Sequence, residues 1–259
     1  MFSQSLHPRI FAGALAALSP CLSGTTMACG VDSGVATASG TNARAEILLD
    51  DGRWLRLAGL DMAEPEAARA LLVRDWIGKR VALALVAAEP DRWGRWLADV
   101  STLDGESAAV ALLSEGFARA RPEFETRGCE GERLDAESAA RAAGQGVWAR
   151  PDAVLGAADL DALRVNDGRF VVVEGVVRRV GAGRSRVYLD FGRRAGFTVV
   201  VARKLAPAFE RLGVAVSAFA GRTVRVRGVL ETRFGPRIEV NDPLMIETVE
   251  ASKETKSGG

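Results

Sequence analysis

Ten consecutive residues concentrate the chemistry open to this chain. Arg56-Leu57-Ala58-Gly59-Leu60-Asp61-Met62-Ala63-Glu64-Pro65 sets an arginine, an aspartate and a glutamate where the pattern passes from strand to helix. A guanidinium fork there can hold a phosphate through two parallel hydrogen bonds. Asp61 offers a hard oxygen to a divalent cation, and Glu64, three residues on, can orient or deprotonate a water. A second guanidinium comes from Arg95 in Asp91-Arg92-Trp93-Gly94-Arg95, where Arg92 adds charge and Trp93 an aromatic face. Each residue also has an ordinary use: arginines pair with surface carboxylates, Asp61 can cap a helix, and Trp93 can pack. The case for chemistry rests on their order and spacing together.

Other chemistries are closed off by composition. His7 is the one histidine of the 259 residues, and it lies in an N-terminal segment that reads as a secretory signal over residues 1–28. Arg9 precedes a small apolar run at 10–18, and Met27-Ala28 offers a small-residue cleavage site. The run is too short to span a bilayer, so the expectation is export to a periplasm or the medium. The processed chain would have no histidine, hence no Ser-His-Asp or Cys-His site, and too few cysteines for a four-thiolate zinc site. It would keep Cys29 and Cys129, which in an oxidising space are expected to pair. Two free thiols, or a lipid anchor on Cys29, are the alternatives.

The elements needed to position these residues can be read from periodicity. Residues 43–61 read as a hairpin turning at Asp50-Asp51-Gly52, followed by a helix with Pro65 in its first turn and Gly78 after its end. Strands follow at 81–87 and 96–102, then helical stretches at 106–120 and 134–143. A linker is expected at 151–162. Beyond it, 170–180, 185–191, 197–202, 223–232 and 237–240 read as strands, with one helix near 205–212. Five strands and a helix suit a small OB-type barrel over 163–249, with a disordered tail at 250–259. Charge divides along the same line. Residues 31–155 carry 15 basic and 21 acidic side chains, whereas 165–249 carry 15 and 8. In the basic module Arg225 and Arg227 alternate with valines on one strand face, a candidate surface for a nucleic-acid backbone.

The two motifs, taken with the helix leading to Gly116 and with Gly146-Val147-Trp148, resemble the thermonuclease (staphylococcal-nuclease-like) family over residues 31–150. The resemblance implies a mainly β fold with helices: an OB-fold barrel of five strands and three helices, here followed by a second small OB-like β-barrel. It also implies calcium-dependent hydrolysis of DNA or RNA. Arg56 and Arg95 would stabilise the charge that builds on the phosphorus, and Glu64 would act as general base and hold the metal through water. Asp61 and the backbone carbonyl of Met62 would bind Ca2+. The chain departs from the family at one place, because Ala45 stands where the family has a second metal-binding aspartate. Strand alternation sends its neighbour Glu46 to the opposite face. Two functions therefore compete: a nuclease acting on single-stranded DNA or RNA, and a silenced double-OB protein that binds nucleic acid or another polyanion. A scaffold without nucleic acid is a third.

Overall fold

The computed structural model describes residues 29–123, 126, 128–192 and 196–249. The expected signal segment and the C-terminal tail lie outside these residues. Within them, short strands alternating between apolar and polar residues curl into barrels, since one face of each must be buried. Val31–Thr41 (β1), Ile47–Leu49 (β2), Trp54–Leu57 (β3), Arg80–Leu85 (β5) and Arg95–Thr102 (β6) close into a five-stranded barrel in the order β1-β2-β3-β6-β5. β3 runs parallel to β6, with Trp54 opposite Arg95 and Arg56 opposite Leu97. Leu55 and Leu57 therefore fill the barrel and Arg56 faces outward. Leu60–Met62 (β4) pairs with Ala118–Ala120 (β7) outside the barrel. Three helices, Pro65–Asp75 (α1), Ala108–Ser114 (α2) and Glu130–Ala143 (α3), complete the module, as expected.

Two elements differ from the sequence reading. β1 is built largely of small and polar residues and has no strong strand signature, yet it pairs with both β2 and β5 and closes the barrel. The expected helix at 106–120 ends at Ser114, because Gly116 adopts φ 67° and the chain leaves as β7. A Cβ at Gly116 would sit 2.2 Å from the carbonyl oxygen of Gln145, so only glycine allows this approach.

The second module repeats the strand plan. After Leu155–Gly156 (β8) and Leu160–Val165 (α4) come Phe170–Val176 (β9), Arg179–Ala182 (β10), Arg186–Asp190 (β11) and Thr198–Ala202 (β12). Ala206–Arg211 (α5), Thr223–Glu231 (β13), Arg237–Val240 (β14) and Ile246–Thr248 (β15) follow. β12 and β14 are parallel, as β3 and β6 are in the first module. The hydrogen-bonded path β10-β11-β12-β14-β13-β9-β8 carries the expected OB-like plan around the second module. Its two ends are brought round by the chain itself, since β9 and β10 are one predicted strand broken at Val177 and Arg178. No helix among the described residues is long and apolar enough to cross a membrane.

The expected linker is not a loose spacer. Its β8 pairs with β9, and Ala153 packs with Trp148 and Val172. Beside it runs a charged joint. Glu137 on α3, with no exposed surface, accepts Arg227 Nη1 at 2.7 and 2.8 Å, Arg141 Nη1 at 2.9 Å and the Ala120 N–H at 2.5 Å. Arg227 also reaches Glu247 at 3.2 Å, and Arg225 binds Glu247 at 3.0 Å and Glu174 at 2.6 Å. Arg225 and Arg227 do share one strand face, but Arg227 meets Glu137 of the first module and Arg225 is held by Glu174 and Glu247 of its own. They are consumed by carboxylates of the joint and do not form the exposed nucleic-acid surface expected of them.

Removing one member of a buried pair strands the other, at a cost of about 3–5 kcal/mol. Glu137→Ala should therefore lower unfolding stability by up to about that amount in chemical denaturation, with buried Arg227 left to Glu247 alone. Burial pushes the Glu247 carboxyl upward, but Arg227, Arg141 and Arg225 outweigh it and hold it below the ordinary 4.5. Its contribution is complete above the unfolded value and is lost as pH falls through the lower folded one. Glu247→Gln should flatten that acid limb when stability is followed against pH.

Candidate anion-binding cleft

The loop between β3 and β4 carries the ten-residue motif, and a buried ion network sets its path. Gly59 has φ 70°, and a Cβ there would lie 2.2 Å from Arg133 Nη1. The guanidinium occupies the space a side chain would need. Arg133, nearly inaccessible to solvent, binds Asp99 at 3.0 Å and lies 3.7 Å from Glu130. The helix that carries it is tied to the start of β1 by the Cys29–Cys129 disulfide, with Cα atoms 5.4 Å apart, as the sequence led us to expect.

On the outer side of this loop lies a cleft of about 330 Å³, lined by Arg44, Glu46, Arg56, Asp61, Met62 and Arg121 among others. Glu46 is there because the chain does not run straight into β2. Asn42 Oδ1 accepts the N–H groups of Arg44 at 2.9 Å and Glu46 at 3.2 Å, and Ala45 takes φ 57°. This turn puts the Ala45 methyl in the barrel core and Glu46 at the cleft. Continuous strand alternation, on which Glu46 was expected to face away from the site, fails because β2 begins only at Ile47.

The acidic groups do not converge; each is answered by an arginine. Glu46 binds Arg95 and also accepts Asn42 Nδ2 at 2.7 Å. Arg95 is held from its other side by Asp91 at 2.7 and 2.9 Å, which draws the Asp91 carboxyl down to about 2. Asp61 lies 3.5 Å from Arg119. Burial pushes its carboxyl above the ordinary 3.8, with Arg119 and Arg121 opposing. Glu64, at the start of α1, is bound by Arg150 and does not line the cleft. Among the described residues, the one set of three metal-type donors within 4.8 Å is Cys29, Asp99 and Cys129, whose sulfurs are bonded to each other. Calcium needs six or more oxygens around one point. These residues do not fit it.

What the cleft does offer is positive charge. Arg56 is half-buried and has no carboxylate partner among the described residues, and Arg44 is exposed beside it. Arg121 pairs with Glu123 at 3.1 Å and lies over the Phe170 ring of the second module. Trp93, 62% exposed, is flanked by Arg92 at 4.0 Å and Arg95 at 4.9 Å. The sequence reading missed Arg44, Arg119, Arg121 and Arg150. The alternation Arg119-Ala120-Arg121 was a usable signal, hidden by assigning the stretch to a helix.

Residues 63–150 match the family described as Staphylococcal nuclease homologue. The match begins just beyond Arg56 and Asp61 and includes Glu64, Arg92, Trp93 and Arg95. No curated protein matches the chain. In an NMR titration of side-chain carboxyls, Asp61 should titrate above 3.8. Arg119→Ala should move it higher still, because the arginine favours the charged form.

Proposed function

With residues 63–150 a staphylococcal nuclease homologue domain, we propose that the protein binds single-stranded nucleic acid through its phosphates and has lost calcium-dependent hydrolysis. One observation carries the reading: Asp61, Glu64 and the neighbouring Glu46 each pair with an arginine, while Arg56 has no carboxylate partner among the described residues. An uncommitted guanidinium at the mouth of a cationic cleft is suited to a phosphodiester, which it can grip through two parallel hydrogen bonds. Arg44 and Arg121 flank that position, and Trp93 with Arg92 gives a neighbouring base a face to stack on. Glu64 is engaged by Arg150 in a surface pair that it would have to leave to activate water. A nuclease would have to break the Glu46–Arg95 and Glu64–Arg150 pairs and gather both carboxylates around a cation beside Asp61. The disulfide, with the export expected from the N-terminal segment, suits a protein that meets nucleic acid outside the cytoplasm.

The test uses labelled single-stranded DNA and RNA, each with and without calcium at millimolar-scale concentration. Binding without cleavage is expected in all four mixtures, and calcium should leave the melting temperature unchanged. Arg56→Ala should weaken binding and reduce the slope of log affinity against log salt by about 0.7, the share of one single-strand phosphate contact. Calcium-dependent cleavage that is abolished by Glu64→Gln would overturn the proposal.

A further inference from the structure

The two modules share more than strand order. In the first, the turn between β5 and β6 reads Arg92-Trp93-Gly94-Arg95; in the second, the turn between β13 and β14 reads Arg233-Phe234-Gly235-Pro236-Arg237. These are topologically the same turn, because each leads into the strand that runs parallel to the third strand of its barrel. Arg95 and Arg237 both open that strand, opposite Trp54 and Thr198. Both turns use a glycine in the left-handed region, Gly94 at φ 76° and Gly235 at φ 98°. Each holds out an aromatic ring between two arginines. Phe234 is 75% exposed, with Arg233 at 5.2 Å and Arg237 at 5.7 Å from its ring centre.

An exposed phenylalanine costs solubility and contributes nothing to a core. Beneath this one lies a groove of about 590 Å³ lined by Arg179, Arg186, Tyr188, Phe234 and Arg237 among others. Strand alternation explains the lining. On β11, Val187 and Leu189 turn toward the barrel, while Arg186 and Tyr188 turn out. Tyr188, the single tyrosine of the chain, sits between Val200 on β12 and Gly181 on β10, and the glycine sets no side chain against it. Arg179 and Arg237 hold Asp190 and Glu231 at 2.7 and 2.6 Å, in surface pairs that a phosphate can replace at little cost. Two accessible rings among guanidinium groups, along one groove, are what a single strand requires: stacking for bases and charge for the backbone.

We infer that the second module carries its own single-strand nucleic-acid site on this groove, with Phe234 and Tyr188 as stacking platforms and Arg179, Arg186 and Arg237 facing the phosphates. It replaces Arg225 and Arg227 as the contact surface of the basic module. The inference rests on the reading of the protein as a nucleic-acid binder, but not on the Arg56 cleft.

The experiment measures anisotropy of labelled oligothymidylate and oligouridylate of about 15 nucleotides, long enough for one OB-type site, on the full-length protein. Phe234→Ala combined with Tyr188→Ala should weaken binding about 5- to 100-fold, the loss of one or two stacked bases. Both rings are exposed, so the unfolding midpoint should not move. Phe234→Trp should restore binding and show fluorescence quenching by the oligonucleotide. A 5-iodouracil oligonucleotide should cross-link to the peptide containing residue 234. Retained affinity in the double variant, with cross-links only near Trp93, would overturn the second site and leave the Arg56 cleft standing. Loss in the double variant with no effect of Arg56→Ala would overturn the cleft and support the groove. No binding by the unaltered protein would remove both. The two oligonucleotides report whether the groove takes DNA, RNA or either.

Discussion

A carboxylate with no contact with solvent must be answered by positive charge, and the answer Glu137 receives organises this molecule. It comes from its own helix through Arg141, from β7 through the Ala120 amide, and from the second module through Arg227. The helix repeats the device at four-residue spacing. Cys129 binds the start of β1, Arg133 fills the space beneath Gly59, and Arg141 reaches Glu247. Residues four apart stack along one helix face. A single stripe of α3 therefore fixes the chain's first strand, the motif loop and the second module together. The position of Arg56 follows from that stripe.

At the cleft the same economy of charge gives a different result. A metal site depends on carboxylates held close together, with their repulsion relieved by an ion from solution. Here Arg95, Arg119 and Arg150 supply the relief from within the chain, and they do so at separate points. The acids can then lie apart, and the remaining surface is cationic. A fixed guanidinium cannot be chelated away and cannot bind a water as a nucleophile. On the function proposed above, such a site gives up the activation of water and keeps its attraction for phosphate.

Local signals carried much of this into the sequence. The hairpin at Asp50-Asp51-Gly52, α1 after Pro65, the strands of the second module and the cysteine pair were legible, since turn residues, alternation and cysteine count are short-range or compositional features. β1 was not, because Ser, Gly, Ala and Thr specify no strand until β2 and β5 flank them. Glu46 was placed wrongly because one alanine at positive φ shifts which side chain faces the cleft. Arg225 and Arg227 were read correctly as sharing a face, but sequence does not say what that face meets. Nothing near them announces Glu137, 90 residues from Arg227.

The joint also bears on how such a protein can be inherited. Domain families spread by being copied into new chains as self-sufficient cassettes. A copy of this first module ending at residue 150 would carry Glu137 without Arg227, and a copy of the second would carry Arg227 without Glu137, while Arg225 would keep Glu174 and Glu247. Both modules follow one strand plan, and each supplies part of the charge that the other buries.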